Sequence, residues 1–297
     1  MWCVIIMIVL FLLVTLVYPQ YVKNKEEEKK MIESCRKRME EEERKQREYQ
    51  EEKEREELRR LEQQRQEEKR RQVVNGWKDE FKKQVDSLPS FEMVLSDEKH
   101  NRNNSIFFED YCKNLTKSTP LNKIKDFIAV DVETTGLNTG GNDIIQLSAI
   151  KFRDFKPVEK FNTYIKPRKS IPPEATEINH ITDEMVENAP KFYQIIDSFN
   201  QFIEDLPLIA HNAPFDMKHL YVNGLDSVVN KTIYDTLGLS RRIMKDEYSY
   251  KLTDICEVFN IYISDAHNAV YDSYAAGQLF VNLVAERREI SVKELLD

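Results

Sequence analysis

Residues 23–72 hold 18 Lys/Arg and 17 Asp/Glu, so 35 of 50 side chains are charged, and the stretch contains neither Gly nor Pro. Burying so many charges without partners is prohibitive, so this segment cannot be part of a core. Glu precedes Lys or Arg by four residues again and again, as in Glu26–Lys30, Glu33–Lys37, Glu40–Arg44, Glu41–Lys45, Glu51–Arg55 and Glu67–Arg71. Each such pair stabilises a helix by about 0.2–0.5 kcal/mol. The sparse apolar residues (Met31, Ile32, Cys35, Met39, Tyr49, Leu58, Leu61) do not sustain a heptad, so the pattern predicts a solvated single helix, with a weak coiled coil as the second reading. At 1.5 Å per residue it would reach ~75 Å.

The segment before it is its opposite. Residues 1–18 carry no charged side chain, and about 20 apolar residues cross a bilayer core. A cleaved signal peptide is the alternative, but no basic residue precedes the run and "TLVYPQYV" offers no small-x-small cleavage site. An uncleaved membrane anchor is therefore expected. Lys23, Lys25, Lys29 and Lys30 follow it, which places the remainder of the chain in the cytoplasm by the positive-inside rule.

Residues 73–297 retain 26 Lys/Arg against 35 Asp/Glu, a net charge of −9. An acidic body is unsuited to coating long duplex DNA. The four cysteines are widely spaced, with no CxxC, which indicates neither a disulfide framework nor a zinc site. Trp77, Phe81, Val85 and Leu88 recur at helical spacing. Residues 96–105 and 116–123 look like loops. From 124 onward strand-like runs (127–132, 144–152, 161–166, 206–211) alternate with helical patterns (182–188, 191–204, 214–222, 236–245, 252–259, 268–287), the signature of a sheet flanked by helices. The expected organisation is a transmembrane anchor at 1–19, a charged helical stalk at 20–72, a linker with a short amphipathic helix at 73–123, an α/β domain at 124–290 and a tail at 291–297.

The run "FIAVDVETTGL" (127–137) leads an apolar strand into Asp131 and Glu133. At i and i+2 both point to one face of a strand. Two adjacent carboxylates stay ionised if a hard divalent cation lies between them. A single Asp-x-Glu is ordinarily an exposed turn; a metal site needs further carboxylates converging from elsewhere. "LIAHNAPFD" (208–216) supplies Asp216 in the first turn of a helix opened by Pro214, and "HNAVYDSYAA" (267–276) supplies His267 and Asp272.

Together "DVETTGL", "HNAPFD" and "HNAVYD", with "SIPPEATEINHIT", "YDTLGLSRR" and "YKLTDICEVFNI" between them in order, resemble the DEDDh 3′–5′ exonucleases. That family includes the proofreading subunits and domains of bacterial replicative polymerases. The resemblance covers about 124–290. It departs at Asn179-His180, where relatives often carry a glycine. It implies an α/β, ribonuclease-H-like fold with a mixed five-stranded sheet and flanking helices, preceded here by the transmembrane helix and the long charged helix. It further implies that Asp131, Glu133, Asp216 and Asp272 bind two ions, Mg²⁺ or Mn²⁺, and that His267 is the general base, completing five catalytic residues. A sister group places a tyrosine four residues before the last aspartate; here that position is Asn268, so the histidine type is expected. Thr134, Thr135, Gly136, Leu137, His211, Asn212 and Phe215 would hold the terminal nucleotide, with Leu137 wedged against a base. Arg168, Lys169, Arg241 and Arg242 are basic residues expected near a groove. The expected partner is the 3′ end of a single-stranded nucleic acid, DNA favoured over RNA, alongside the membrane; the sequence names no polymerase partner. A catalytically silent nucleic-acid-binding or scaffolding protein, with the stalk as its functional part, is the competing reading.

Overall fold

The structure is a computed structural model that describes residues 2–98, 121–138 and 141–293. The expected loops within 99–120, and 294–297 of the expected tail, lie outside the described residues. The chain divides into two units, at 1–72 and 73–297.

The first unit is helical. It comprises α1 (Trp2–Leu12), a π-helical segment (Leu13–Val17) and the larger part of α2 (Tyr18–Ser87). The π segment has a local cause. Pro19 lacks the N–H that would bond four residues back, and its ring crowds that carbonyl. The Tyr18 N–H bonds five residues back to the Leu13 carbonyl, and Thr15 Oγ1 donates to the Phe11 carbonyl at 2.6 Å. This helix is long and apolar enough near its start to cross a membrane, by length and composition. Along the charged part, Glu33–Lys37, Glu41–Lys45 and Glu51–Arg55 pair as expected, whereas Glu40 takes Arg36 and Arg44 takes Glu48. Each of these heads is solvated, so each pair contributes little.

The second unit is built on a five-stranded sheet: β1 (Phe127–Thr134), β2 (Ile144–Arg153), β3 (Lys156–Tyr164), β4 (Leu208–Ala210) and β5 (Ile233–Asp235), in the order β3-β2-β1-β4-β5. β1, β2 and β3 pair antiparallel, while β4 and β5 join parallel, so the sheet is mixed. Its helices are α3 (Pro173–Asn179), α4 (Asp183–Val186), α5 (Phe192–Ile203), α6 (Ala213–Asn223), α7 (Thr236–Ile243), α8 (Leu252–Val258) and α9 (Ala269–Lys293). β3 begins five residues earlier than the sequence pattern suggests. Asp154 and Phe155 take positive φ in a two-residue hairpin turn, and the strand's charged side chains lie on a sheet edge.

β1 separates two cores. Ile128, Val130 and Val132 face the cluster formed with α5 and α6, while Phe127 and Ala129 face the cluster formed with α9. Asp131 and Glu133 continue the Phe127–Ala129 face by the period of two. A side chain at Gly277 of α9 would overlap the Phe152 ring at 2.4 Å and approach Ala129 Cβ at 3.0 Å. α9 therefore presses closely onto β1 at this crossing. Asp272 lies five residues before Gly277, ~7.5 Å along the helix. Asp131 lies two beyond Ala129, ~6.7 Å along the strand. The crossing thus brings the start of α9 over the carboxylate end of β1.

Residues 73–98, expected as part of a linker, pack into this unit. Phe81 and Val85 are buried. Phe81 meets Tyr274 edge-on at 5.2 Å, and Trp77 stacks on Tyr262 at 4.7 Å. Tyr271 Oη donates to Asp86, and Tyr274 Oη donates to Gln84. Lys160 Nζ caps the helix end by donating to the Val85 and Asp86 carbonyls at 2.9 and 3.0 Å. The chain then bridges the free edge of β3 through Phe91 N to Lys160 O and Lys160 N to Pro89 O, both 2.8 Å, which covers an otherwise unpaired strand.

Candidate active site

Four carboxylates from three elements meet at the end of β1. Asp131 and Glu133 are half-buried on the strand; Asp216 and Asp272 are buried in the first turns of α6 and α9. Asp216 Oδ1 accepts the Val132 N–H at 3.1 Å, so α6 is tied to the strand between the two acidic residues. Asp272 Oδ2 accepts the His267 N–H at 2.9 Å, which folds the loop before α9 back over its own first turn. His267 takes a left-handed backbone (φ 64°) and stays exposed. The donor atoms of Glu133, His267 and Asp272 all lie within 4.8 Å of one another.

The electrostatics are those of anions gathered against their preference. Burial, then the charges of Asp216, Asp272 and Glu133, hold Asp131 well above the usual carboxylate range. Burial, then Asp272 and Asp216, push Glu133 up to about 8. Burial raises Asp272 to about 7, partly offset by the His267 N–H. Burial also raises Asp216, against the N–H donated by Val132. A divalent cation reverses this penalty, and an all-oxygen carboxylate set suits a hard ion. The residues fit the metal expected there.

The nucleotide-binding candidates divide. Thr134 Oγ1 donates to the Gly136 carbonyl at 2.9 Å, and Thr135 Oγ1 accepts the Asp143 N–H at 2.9 Å. Gly136 has φ 154°, a backbone conformation that strains other residues, and a Cβ there would also displace the Asn142 amide, 2.6 Å away. Leu137 projects into solvent, 86% exposed. Phe215 is half-buried against His219, ring centroids 4.6 Å apart. His211 and Asn212 line a cleft of about 550 Å³ that reaches His267 and Asp272. Both His211 ring nitrogens are engaged, Nδ1 with Thr236 Oγ1 and Nε2 with the Tyr250 carbonyl, each at 2.9 Å. Its imidazole therefore ties the start of α7 to the loop before α8, and burial lowers its pKa. Arg168 is drawn to Asp143, whereas Arg241 lines the cleft.

A family model described as RNase_T, exonuclease, matches residues 128–280. The chain belongs to the RNase_T exonuclease family. The DNA polymerase III PolC-type protein of Caldanaerobacter subterraneus subsp. tengcongensis is 33% identical over 172 residues, 57% of this chain and 12% of that protein. The chain thus spans about an eighth of the length of the PolC-type relatives it matches. The DNA polymerase III subunit epsilon of Treponema pallidum is 33% identical over 166 residues, 54% of this chain and 76% of that subunit. Among solved structures, exonuclease X in complex with 5′ overhanging duplex DNA is similar at a TM-score of 0.43 and 22% identity, covering 54% of this chain and 91% of that one.

Three further residues of this exonuclease domain position the site, none of them among the residues expected to act there. Gln146, opposite Glu133 on β2, accepts the Ala269 N–H through Oε1 and donates through Nε2 to Asn268 Oδ1, which clamps the start of α9 to the sheet. Asp235 accepts backbone N–H groups of Asn212, Ala213, Leu237 and Gly238, and so fixes the entries of both α6 and α7. Asn179 donates to the Thr134 carbonyl at 3.3 Å and hydrogen-bonds the Glu133 carboxylate. Its neighbour His180 closes α3 in the left-handed conformation (φ 59°), which is the conformation glycine favours. An Asp before Thr-Leu-Gly is a legible helix cap; the roles of Gln146 and Asn179 depend on partners far away in sequence.

Proposed function

We propose that the protein is a metal-dependent 3′–5′ exonuclease that shortens single-stranded nucleic acid, DNA in preference to RNA, releasing nucleoside 5′-monophosphates, and that its N-terminal helix tethers it to a membrane with the catalytic domain in the cytoplasm. The observation that carries the reading is the convergence of Asp131, Glu133, Asp216 and Asp272 beside an exposed histidine, in a chain of the exonuclease family. Two divalent ions held by these carboxylates would supply the Lewis acidity for phosphodiester hydrolysis. His267 takes the proton of the attacking water; its exposure lets that proton pass on to solvent. Tyr271 is unsuited to act as the base. It is buried, its hydroxyl donates to Asp86, and its pKa is pushed up to about 12, first by burial. The turn at Thr134–Gly136 presents backbone to the terminal nucleotide, and Leu137 and Phe215 offer apolar surface to its base. The preference for DNA rests on the similarity to polymerase III proteins. The tether rests on the apolar helix.

The test is degradation of end-labelled single-stranded DNA and RNA, side by side, with Mg²⁺ and Mn²⁺. Shortening from the 3′ end, abolished by EDTA, is expected. Undiminished hydrolysis in EDTA refutes the metal-dependent reading. Full-length protein in the soluble fraction after cell lysis refutes the tether.

A further inference from the structure

The cleft that reaches His267 and Asp272 is also lined by Arg241 in the last turn of α7, Tyr248 in the loop after it, and Lys251 at the start of α8. We propose that Arg241, Tyr248 and Lys251 form a second binding station, on which the bases and phosphates upstream of the terminal nucleotide of a single strand lie. The proposal rests on the exonuclease reading and names where its substrate runs.

Three observations support it. First, Tyr248 is fully exposed, yet its loop is held on both sides. The Tyr250 hydroxyl donates to the Met244 carbonyl and closes the loop, and the Tyr250 carbonyl is bonded to His211 Nε2 at 2.9 Å. A single exposed tyrosine is ordinary. One presented on a pinned loop beside a catalytic cleft is a flat face whose ordering has largely been done before a ligand arrives. Second, Arg241 and Lys251 are exposed, and among the described residues no ion pair or hydrogen bond occupies either charged head. Third, this unit carries a net charge of −9. Uncommitted cations in one cleft of an acidic body give a local site for anions, while the body repels phosphate elsewhere. Asp246 and Glu247 share the loop with Tyr248 but do not line the cleft.

An aromatic face with flanking cations is the chemistry of single-strand binding: bases stack without regard to sequence and cations follow the backbone. A duplex keeps its bases stacked on one another and offers none to Tyr248. The station therefore favours a single strand longer than the one or two nucleotides that the carboxylates themselves engage.

The test is fluorescence anisotropy of the full chain with 5′-fluorescein-labelled dT12 and dT2, with Ca²⁺ in place of Mg²⁺. Tyr248→Ala should weaken dT12 binding about tenfold, in the range expected for losing a stacked base, and Tyr248→Phe should restore it. Arg241→Ala with Lys251→Ala should weaken dT12 and lower the slope of log affinity against log salt by about 1.4, at about 0.7 per phosphate contact on a single strand. Binding of dT2 should change much less. The proposal is overturned if the variants bind dT12 as the parent does, if dT2 and dT12 lose affinity equally, or if the parent does not bind dT12. Hydrolysis of the p-nitrophenyl ester of thymidine 5′-monophosphate by the parent with Mn²⁺ separates the two readings. An inert ester with dT12 binding still dependent on Tyr248 removes the exonuclease reading and leaves the station. A hydrolysed ester with dT12 indifferent to Tyr248 does the reverse.

Discussion

Phe81 offers the sharpest test of where the folded catalytic unit begins. It lies at the C-terminal end of α2, 6% exposed, against Tyr271 and Tyr274, the two tyrosines on either side of Asp272. Truncation of a buried Phe to Ala typically costs about 3–5 kcal/mol, since the cavity adds to the lost transfer free energy. For a unit of this size, each kcal/mol lowers Tm by about 2–4 °C. Phe81→Ala should therefore lower Tm by about 10 °C, read by circular dichroism or differential scanning fluorimetry. A chain beginning at Lys123 loses Phe81, Val85, the Lys160 cap and the cover on β3 together. That loss is comparable to the whole net stability of an ordinary domain, about 5–15 kcal/mol. It should express poorly or unfold well below a chain beginning at Val73. Equal Tm values for the two truncations, or a shift under about 2 °C for Phe81→Ala, would refute the assignment of residues 73–98 to the folded unit.

Gly277→Val should lower kcat about tenfold or more and Tm by the equivalent of about 1–3 kcal/mol, because the new side chain must displace Phe152 and lift the start of α9 from β1; unchanged activity would separate Asp272 from that crossing. His267→Ala should reduce turnover about 10²–10⁴-fold while strand binding persists, measured by single-turnover hydrolysis and anisotropy, and a mild effect would reassign the base. His219 is buried with neither ring nitrogen hydrogen-bonded among the described residues, and burial pushes its pKa down to about 4. The unfolded chain takes up this proton below about pH 6.5 and the fold resists it, so its titration contributes nothing above 6.5 and lowers stability as pH falls towards 4, by about 3 kcal/mol at most. The stability difference between His219→Phe and the parent should widen over that window in urea titrations, and a pH-independent difference would show that the imidazole does not titrate there.

How much is legible in the sequence depends on how far away each partner lies. β1 and its two carboxylates can be read because the period of two and the apolar run are local. β5 cannot, because Ile233–Asp235 is too short for a pattern and exists through parallel pairing with β4. The pattern misplaces the start of β3 because Lys156 to Lys160 is charged and half-exposed, as an edge strand can be. The helical period of Trp77, Phe81, Val85 and Leu88 is visible, but its partners Tyr262, Tyr271 and Tyr274 lie about 190 residues away, so an integral element looks like a linker. The three motifs supply the four clustered carboxylates and His267; of the residues that aim them, Asp235 reads as a helix cap, while Gln146 and Asn179 sit between motifs as ordinary polar side chains.

That division has a physical reason. Four carboxylates at one strand end repel, and in the folded chain they are held together by groups that bear no charge of their own. The Val132 and His267 N–H groups each donate to an inward aspartate, and the Asn179 amide donates to Glu133. Gln146 and the Ser148–Ser273 contact at 3.2 Å fasten α9 to β2 beside Glu133 and Asp131. Neutral donors stabilise the ionised form without cancelling it, as an arginine would. The donors offset part of the burial penalty that raises these carboxylates, and they leave oxygen lone pairs open to a cation. If a Lys or Arg stood in place of Asn179 or Gln146, it would relieve the repulsion and compete with the metal for the same oxygens. Uncharged partners at these contacts suit the cluster to the proposed metal ions better than to an ion-pair network.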